Sequence, residues 1–230
     1  MMFHKSQAGH YYAGIMAGGG GTRLWPLSRR TRPTQLRSLF DERSLFQTSV
    51  QRLGDLFPPD HIYVVAVPDL ARDLRVQTPD IPEENFLHEP AARNTAPVVG
   101  LAAAVLHQRD PQAVMAVLTA DHFIGDEEQF RQYLMAAYEI AQAGYLVTLG
   151  IEPTFPSTGF GYIQRGQVFG EFLGRQAYCV QRFKEKPDSA TAVQMLTSGD
   201  HSWNSGMFFW RVDRILEEFK CQLPDLANGL

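Results

Sequence analysis

The pattern with the clearest chemistry runs from Gly18 to Arg29, where a run of glycines is followed by Thr22 and Arg23. Glycine has no Cβ, so the backbone N–H groups of Gly18–Gly21 can approach a polyphosphate, and the guanidinium of Arg23 can balance its charge. Glycines alone are equally compatible with a structural turn. The extension Thr-Arg-Leu-Trp-Pro-Leu-Ser-Arg is more specific and favours a phosphate-binding loop.

Two common phosphate-binding motifs do not fit this loop. The dinucleotide fingerprint G-x-G-x-x-G would need glycine at Arg23 or Leu24. A P-loop that started at Gly14 would need lysine at Gly20 and serine or threonine at Gly21. The loop is therefore of neither class.

A second polar segment, from Glu89 to Pro97, also contains Arg93, Asn94 and Thr95 and precedes a helical pattern. The simpler interpretation is a helix cap, in which Asn94 or Thr95 accepts hydrogen bonds from the first-turn amides. A cap needs only one such residue. Because helix N-termini also bind anions and polar bases, the four residues together favour a ligand role.

Asp121 follows the apolar run Val114–Ala120 and places a carboxylate at the end of a strand. An aspartate at this position is often a turn former. Opposite a phosphate loop it is also a suitable Mg²⁺ ligand.

Three further turns carry weaker signals. Glu185 and Lys186 close a strand and could form a solvated charged turn. Asn204 begins another buried run, and Gly161 lies among aromatic residues where a flexible backbone could contact a sugar. Considered alone, each of these signals is weak, and an ordinary turn is the better interpretation of Glu185, Lys186 and Asn204.

The elements that must position these residues alternate along the chain. Strand-like runs are Tyr11–Ala17, His61–Val67, Val114–Thr119, Tyr145–Ile151, Tyr178–Phe183 and Met207–Val212. Helical stripes cover 98–105 and 130–141, and Asp213 is predicted to cap a last helix. This alternation predicts an α/β fold with a mainly parallel central sheet and helices on both faces. Ligands of such sheets bind at the carboxyl ends of the strands.

The composition of the chain argues against several classes of binding partner. The net charge of −4 argues against a nucleic-acid surface, and a local basic cluster suits a small anionic ligand. That cluster is Arg23, Arg29, Arg30, Arg32 and Arg37. Cys179 and Cys221 lie far apart without metal-type spacing, and no apolar run approaches membrane-spanning length. We therefore expect a cytoplasmic protein with no nucleic-acid or membrane partner.

Taken in order, the motifs resemble those of the sugar-phosphate nucleotidyltransferases, and specifically the guanylyl-transferring branch. The matching stretches are Gly19–Arg29, Glu89–Pro97, Leu118–Ile124, Gly159–Gln164, Phe183–Pro187 and Asn204–Trp210. The resemblance implies a Rossmann-like nucleotidyltransferase fold. It also implies that the enzyme forms GDP-mannose and pyrophosphate from GTP and mannose 1-phosphate with Mg²⁺.

The resemblance assigns roles to the motif residues. Arg23, Asp121 and Lys186 would be catalytic, and Asp121 would hold Mg²⁺. The nucleotide would be bound by Gly18, Gly19, Gly20, Gly21, Thr22, Glu89, Arg93, Asn94 and Thr95. The sugar phosphate would be bound by Gly161, Glu185, Lys186 and Asn204.

Two departures from the family pattern keep alternatives open. The family has lysine after the proline that closes the first loop, but here Pro33 is followed by Thr34, and Arg32 or Arg37 would have to supply the charge. Nothing after Asn204 matches a second metal-binding aspartate of the family. We therefore expect one nucleotidyltransferase domain over residues 1–230 that is incomplete at its C-terminal end. Another sugar-1-phosphate nucleotidyltransferase and a catalytically weak nucleotide-sugar-binding regulatory homologue remain alternatives, and a homodimer is left open.

Overall fold

A computed structural model of the chain describes residues 9–18, 34–38, 42–89 and 95–230, and these residues form an α/β structure around one sheet of eight strands. The strands are β1 Tyr11–Met16, β2 Ile62–Ala66, β3 Phe86–His88, β4 Val114–Thr119, β5 Val147–Ile151, β6 Tyr162–Phe172, β7 Arg175–Lys184 and β8 His201–Arg211.

Strand order in the sheet is β3-β2-β1-β4-β8-β6-β7, and β5 pairs with β8. The first four strands in this order are parallel, with Met16 opposite both Val65 and Thr119 and with Ala66 opposite His88. Strands β5 to β8 pair in antiparallel fashion with one another, and β8 also runs antiparallel to β4. The parallel carboxyl ends therefore meet at one edge of the sheet.

The helices connect and cover these strands. They are α1 Leu45–Gln51, α2 Pro68–Gln77, α3 Thr95–Arg109, α4 Glu127–Gln142, α5 Ser189–Ser198, α6 Val212–Gln222 and α7 Pro224–Ala227. Local caps define several starts: the Ser44 side chain accepts from the Gln47 N–H at 3.1 Å in a capping box, and the Asp126 carboxylate accepts from the Gln129 N–H at 2.8 Å.

Two hydrophobic cores lie on opposite faces of the parallel strands. Alternate residues of β1 show this, because Tyr11 and Ile15 pack into the core beneath α1, α2 and α4, whereas Tyr12 and Met16 pack towards α3 and α6. Successive side chains of a strand point to opposite faces, so burial on both faces requires a continuous apolar run. The predicted fold class is thus confirmed in its parallel core with helices on both faces.

The predicted elements agree with the structure except at particular points. Strand β8 begins at His201, six residues before the predicted Met207, and Val212 belongs to α6. The predicted cap at Asp213 is wrong: Arg211 occupies the cap position, and the Asp213 carboxylate accepts from the Arg211 Nε at 3.0 Å inside the first turn. Strands β3 and β6 were not predicted. Within the described ranges, none of the helices combines the length and the apolar character needed to cross a bilayer.

Candidate active site

The register of the parallel strands brings three sequence-predicted residues to the carboxyl edge of the sheet. The Ala17 N–H donates to the Val65 carbonyl at 3.0 Å, and Gly18 follows it. The Glu89 N–H donates to the Ala66 carbonyl at 2.9 Å. Asp121 lies just beyond β4, which pairs directly with β1. Gly18, Glu89 and Asp121 therefore lie at one edge although 103 positions of sequence separate the first from the last.

The start of the glycine loop is held next to a buried carboxylate. A Cβ placed on Gly18 would lie 3.7 Å from Glu89 Oε2, and Glu89 is only 5% exposed. Gln35 Nε2 donates to the Gly18 carbonyl at 2.7 Å and fixes the backbone there. Gln35 was not predicted from the sequence, because a single glutamine in a loop carries no signal that its partner is a glycine carbonyl 17 residues earlier.

Thr34, which stands where the resemblance leads us to expect lysine, is buried at the start of a short 3₁₀ turn from Thr34 to Leu36. Its neighbour Gln35 contacts Gly18, so this turn lies beside the entry to the glycine loop. The Arg37 N–H donates to the Thr34 carbonyl at 3.0 Å. Arg37, one of the two arginines considered as substitutes for the lysine, is thus held close to this turn by its backbone.

Asp121 is half-buried and lies near a buried arginine, Arg52, which was not predicted from the sequence either. Arg52 donates to the carbonyls of Thr119 and His122, one on each side of Asp121. Burial lowers the pKa of Arg52 to about 10, and the nearby carboxylates of Glu127 and Asp121 act in the opposite direction. The guanidinium remains protonated at neutral pH and places a positive charge beneath the Asp121 segment.

The second group of predicted residues lies where β8, β6 and β7 begin or end. The Asn204 N–H donates to the Gly161 carbonyl at 2.8 Å. The Asn204 Oδ1 atom accepts from the Gly206 N–H at 3.1 Å and lies 3.2 Å from the Thr148 hydroxyl. Because Oδ1 already accepts hydrogen bonds within the protein, Asn204 would contact a ligand through its side-chain NH₂ group, as a donor.

Gly161 allows the Glu185 carboxylate to lie directly against the backbone. A Cβ at Gly161 would be 2.6 Å from Glu185 Oε2 and 3.1 Å from the Phe183 ring. The Lys186 Nζ lies 3.4 Å from Glu185 Oε1, and the Lys186 side chain is 64% exposed. Lys186 also has a φ of +41°, which an L-residue adopts at a cost in free energy. The turn therefore presents one anionic and one cationic group side by side.

Both groups of predicted residues face the same edge of the sheet: Gly18, Glu89 and Asp121 form the first group, and Gly161, Glu185 and Asn204 form the second. Strand β8 pairs with β4, with Phe208 opposite Val117. A Cβ at Gly206 would lie 3.8 Å from the methyl group of Thr119, the residue two positions before Asp121. Asn204 and Gly161 are therefore brought to the side of the edge next to Asp121.

The remaining predicted residues are Thr95 and a set that lies outside the described part of the chain. Thr95 is exposed at the first position of α3, which begins at this edge. Gly19, Gly20, Gly21, Thr22, Arg23, Arg32, Arg93 and Asn94 lie outside the described residues. Aromatic side chains lie beside Gly161 and Asn204: the rings of Phe155 and Phe160 meet Trp203 edge-on at centroid distances of 4.9 and 5.0 Å.

Comparison with known proteins identifies the family. The family model described as nucleotidyl transferase matches residues 12–227. The chain belongs to the nucleotidyl transferase family.

Named relatives of this family are similar over most of the chain. The mannose-1-phosphate guanylyltransferase of Escherichia coli K12 is 42% identical over 228 residues, which cover 95% of this chain and 46% of the relative. That of Salmonella montevideo is 43% identical over 225 residues, with 94% and 46% coverage. The chain thus spans about half the length of the curated relatives it matches.

A solved structure agrees with the fold. A protein of Thermus thermophilus described as a mannose-1-phosphate geranyltransferase is 34% identical, with a TM-score of 0.84, and the match covers 95% of this chain and 62% of that one. The sequence-predicted resemblance to nucleotidyltransferases is therefore confirmed.

Proposed function

We propose that the protein transfers a guanylyl group from GTP to mannose 1-phosphate and releases pyrophosphate. The observation that carries the proposal is the meeting of two polar groups at one sheet edge: Gly18, Glu89 and Asp121 on one side, and Gly161, Glu185 and Asn204 on the other. Two substrates must react with each other, so two adjoining half-sites suit the reaction. The names of the relatives support the choice of substrates.

In the proposed reaction, a phosphate oxygen of mannose 1-phosphate attacks the α-phosphorus of GTP. A new P–O bond forms there while the bond from the α-phosphorus to the oxygen bridging the α- and β-phosphates breaks, and pyrophosphate leaves with that electron pair. Both substrates are polyanions, so the protein must chiefly align them and neutralise their charge. The reaction does not require a side chain that takes up a proton.

The nucleotide side of the site would work through the glycine loop and the buried Glu89. The Gly18–Gly21 amides would hold the triphosphate, and Arg23 would balance charge at the α-phosphate. The Glu89 carboxylate is an acceptor of the kind that can bind a guanine N–H group, and its burial would favour that contact by excluding water.

The sugar side would work through Glu185, Lys186 and Asn204. The Glu185 carboxylate would accept hydrogen bonds from mannose hydroxyls, and the Asn204 NH₂ group would donate to one of them. The exposed Lys186 ammonium would pair with the sugar phosphate as a mobile point charge.

Mg²⁺ fits this site as an ion that substrate phosphates help to bind. Across the described ranges, no cluster of three or more His, Cys, Asp or Glu side chains could hold a metal by itself. Magnesium typically binds through one or two carboxylates together with phosphate oxygens and water. Asp121 at the sheet edge would supply the carboxylate. When bound, the ion would neutralise phosphate charge and help to orient the two substrates.

Calorimetry with this chain tests the nucleotide assignment. We expect GTP to bind more tightly than dTTP, UTP or CTP in the presence of Mg²⁺, and mannose 1-phosphate with GTP to release pyrophosphate. Equal affinities for the four nucleotides would remove the guanine assignment and leave a general nucleotidyltransferase. Faster pyrophosphate release with another sugar 1-phosphate would change the second substrate only.

Thr34 supports a second candidate function, a regulatory homologue that binds nucleotide sugars and catalyses poorly. The residue is buried and uncharged where the family pattern has lysine. One lost charge-assisted contact costs about 1.5–3 kcal/mol, or roughly ten- to a hundredfold in rate. Tight GTP binding without pyrophosphate release would favour this candidate.

We also propose a reducing, cytoplasmic compartment. Cys179 and Cys221 are both free thiols, and Cys221 is exposed. Free thiols are typical of proteins that work where disulfides do not persist.

A further inference from the structure

Arg52 directly follows α1 and belongs to none of the sequence motifs that predict the site. It is only 3% exposed. A buried guanidinium is strongly unfavourable unless its N–H groups are hydrogen-bonded, so the partners of Arg52 indicate what it does.

Two N–H donors of Arg52 reach the main chain on either side of Asp121. Nη1 donates to the His122 carbonyl at 2.6 Å, and Nη2 donates to the Thr119 carbonyl at 3.3 Å. The guanidinium is planar and its donors have fixed relative positions. One rigid group therefore holds both ends of the segment 119–122.

Arg52 is itself held from the first turns of α4. Its carbonyl accepts from Arg131 Nη1 at 2.8 Å, and its guanidinium lies 5.8 Å from the centroid of the Phe130 ring. Arg131 Nη2 in turn donates to Glu128 Oε2 at 2.9 Å. The connected contacts run from α4 through Arg52 to the end of β4.

We propose that Arg52 is a positioning residue that holds segment 119–122 and thereby fixes the Asp121 carboxylate at the sheet edge. The role of that carboxylate rests on the proposed function. Arg52 acts through the two carbonyls and not through contact with a substrate. A carboxylate at the end of an unbraced strand would sample many positions, and the brace removes that freedom before any ligand binds.

Hydrogen–deuterium exchange of the ligand-free protein tests the brace directly. In Arg52→Gln we expect amides 120–124 to exchange about tenfold faster, because one or two charge-assisted hydrogen bonds are lost. Arg52→Lys keeps the charge but not the planar fork, and we expect a smaller increase. Amides 62–66 of β2 are the internal reference. The matched control is Arg72→Gln, because the Arg72 side chain is exposed and pairs with Asp69.

The reference amides separate a local brace from general destabilisation. Unchanged exchange at 120–124, or an equal increase at 62–66, would overturn the proposal. Arg52→Lys provides the same comparison if Arg52→Gln does not fold.

Binding of Mn²⁺·GTP, with Mn²⁺ as a spectroscopic substitute for Mg²⁺, tests the link to Asp121. We expect Arg52→Gln to weaken Mn²⁺·GTP binding about tenfold while the affinity for metal-free GTP in EDTA stays unchanged. An equal loss with and without metal would overturn that link. If the wild-type protein does not bind Mn²⁺·GTP, the proposed function fails, and the exchange experiment alone decides whether Arg52 holds the segment.

Discussion

The parallel strands and the β6–β7 hairpin belong to one sheet but differ in what covers them. Every residue of β2 is buried, whereas every residue of β7 is exposed or half-exposed. Val64 of β2 is 0% exposed and Val180 of β7 is 55% exposed. The difference follows from the helices, which pack on both faces of the parallel strands.

This contrast separates the region that supplies stability from the region that carries the turn proposed to bind the sugar. The parallel region buries apolar surface on two faces and therefore supplies most of the hydrophobic stabilisation. The hairpin contributes less to the core, and its end carries the charged pair Glu185 and Lys186. We expect substitutions in the two regions to have different consequences, and four predictions test this.

The largest effect is expected at the edge of the parallel region. Asp121→Asn removes a charge with little change in shape, and we expect turnover to fall roughly 10²–10³-fold, with a similar fall for Arg23→Ala. Pyrophosphate release measures the rate, and thermal melting shows whether the protein remains folded.

Asp126→Asn is the matched control, because Asp126 caps α4 at the other end of the same connection. Asparagine caps helices as well as aspartate does but lacks the charge, so we expect a loss of about 0.3–1 kcal/mol of stability and retained activity. Near-wild-type turnover in Asp121→Asn would mean that the active centre is elsewhere.

Val64→Ala and Val180→Ala compare the two regions by the same substitution. We expect the free energy of unfolding to fall by about 2 kcal/mol for Val64→Ala, which removes fully buried methyl groups and leaves a cavity. For Val180→Ala the expected change is under about 0.5 kcal/mol. Urea denaturation measures both, and equal losses would contradict the division between the regions.

Gly161→Ala tests the side of the site that is proposed to bind mannose 1-phosphate. The added Cβ would force the Glu185 carboxylate to move, since it would lie 2.6 Å from Oε2. We expect the KM for mannose 1-phosphate to rise about tenfold through loss of one charge-assisted contact, with an unchanged KM for GTP. Gly159→Ala is the control, because Ser157 Oγ at 3.7 Å is the one atom near its Cβ among the described residues. A parallel rise in the KM for GTP would show that the half-sites are not separate.

The smallest effect concerns backbone strain at Lys186, where φ is +41°. Both Lys186→Ala and Lys186→Gly remove the charge and should lower activity equally. The glycine variant should be about 1 kcal/mol more stable than the alanine variant, because glycine adopts this conformation freely. At Lys184, within β7, the order should reverse. Chemical denaturation of the four variants decides whether the strain is real.

Sequence patterns were most informative in the parallel region. Strands β1, β2 and β4 are continuous apolar runs, because both of their faces are covered, and the patterns predicted them to within one residue at each end. Strand β6 was not predicted, because most of its residues are exposed or only half-buried and its sequence lacks the apolar run of a buried strand. Strand β3 has only three residues, too few for a period to appear.

In the candidate site, too, only some of the residues could be predicted from the sequence. Motif residues could be selected from the sequence because their types suit phosphate, metal and sugar chemistry. Gln35 and Arg52 could not be selected, since what distinguishes them is a bond to a main-chain carbonyl far away in sequence: 17 residues away for Gln35 and 70 for the contact from Arg52 to His122. At Asp213 the sequence predicted a role that the structure does not show: aspartate is a typical capping residue, but its carboxylate here accepts a hydrogen bond from Arg211.

The α/β class, the buried strands and the polar residues that follow them could be predicted from the sequence, because hydrophobic periodicity and side-chain chemistry are local properties. Which of these residues meet depends on the folded chain. Strand register brings Gly18 next to Glu89, antiparallel pairing brings Asn204 to Gly161, and a buried guanidinium braces the segment that carries Asp121. These contacts join residues that are distant along the chain, and they form only when the sheet is assembled.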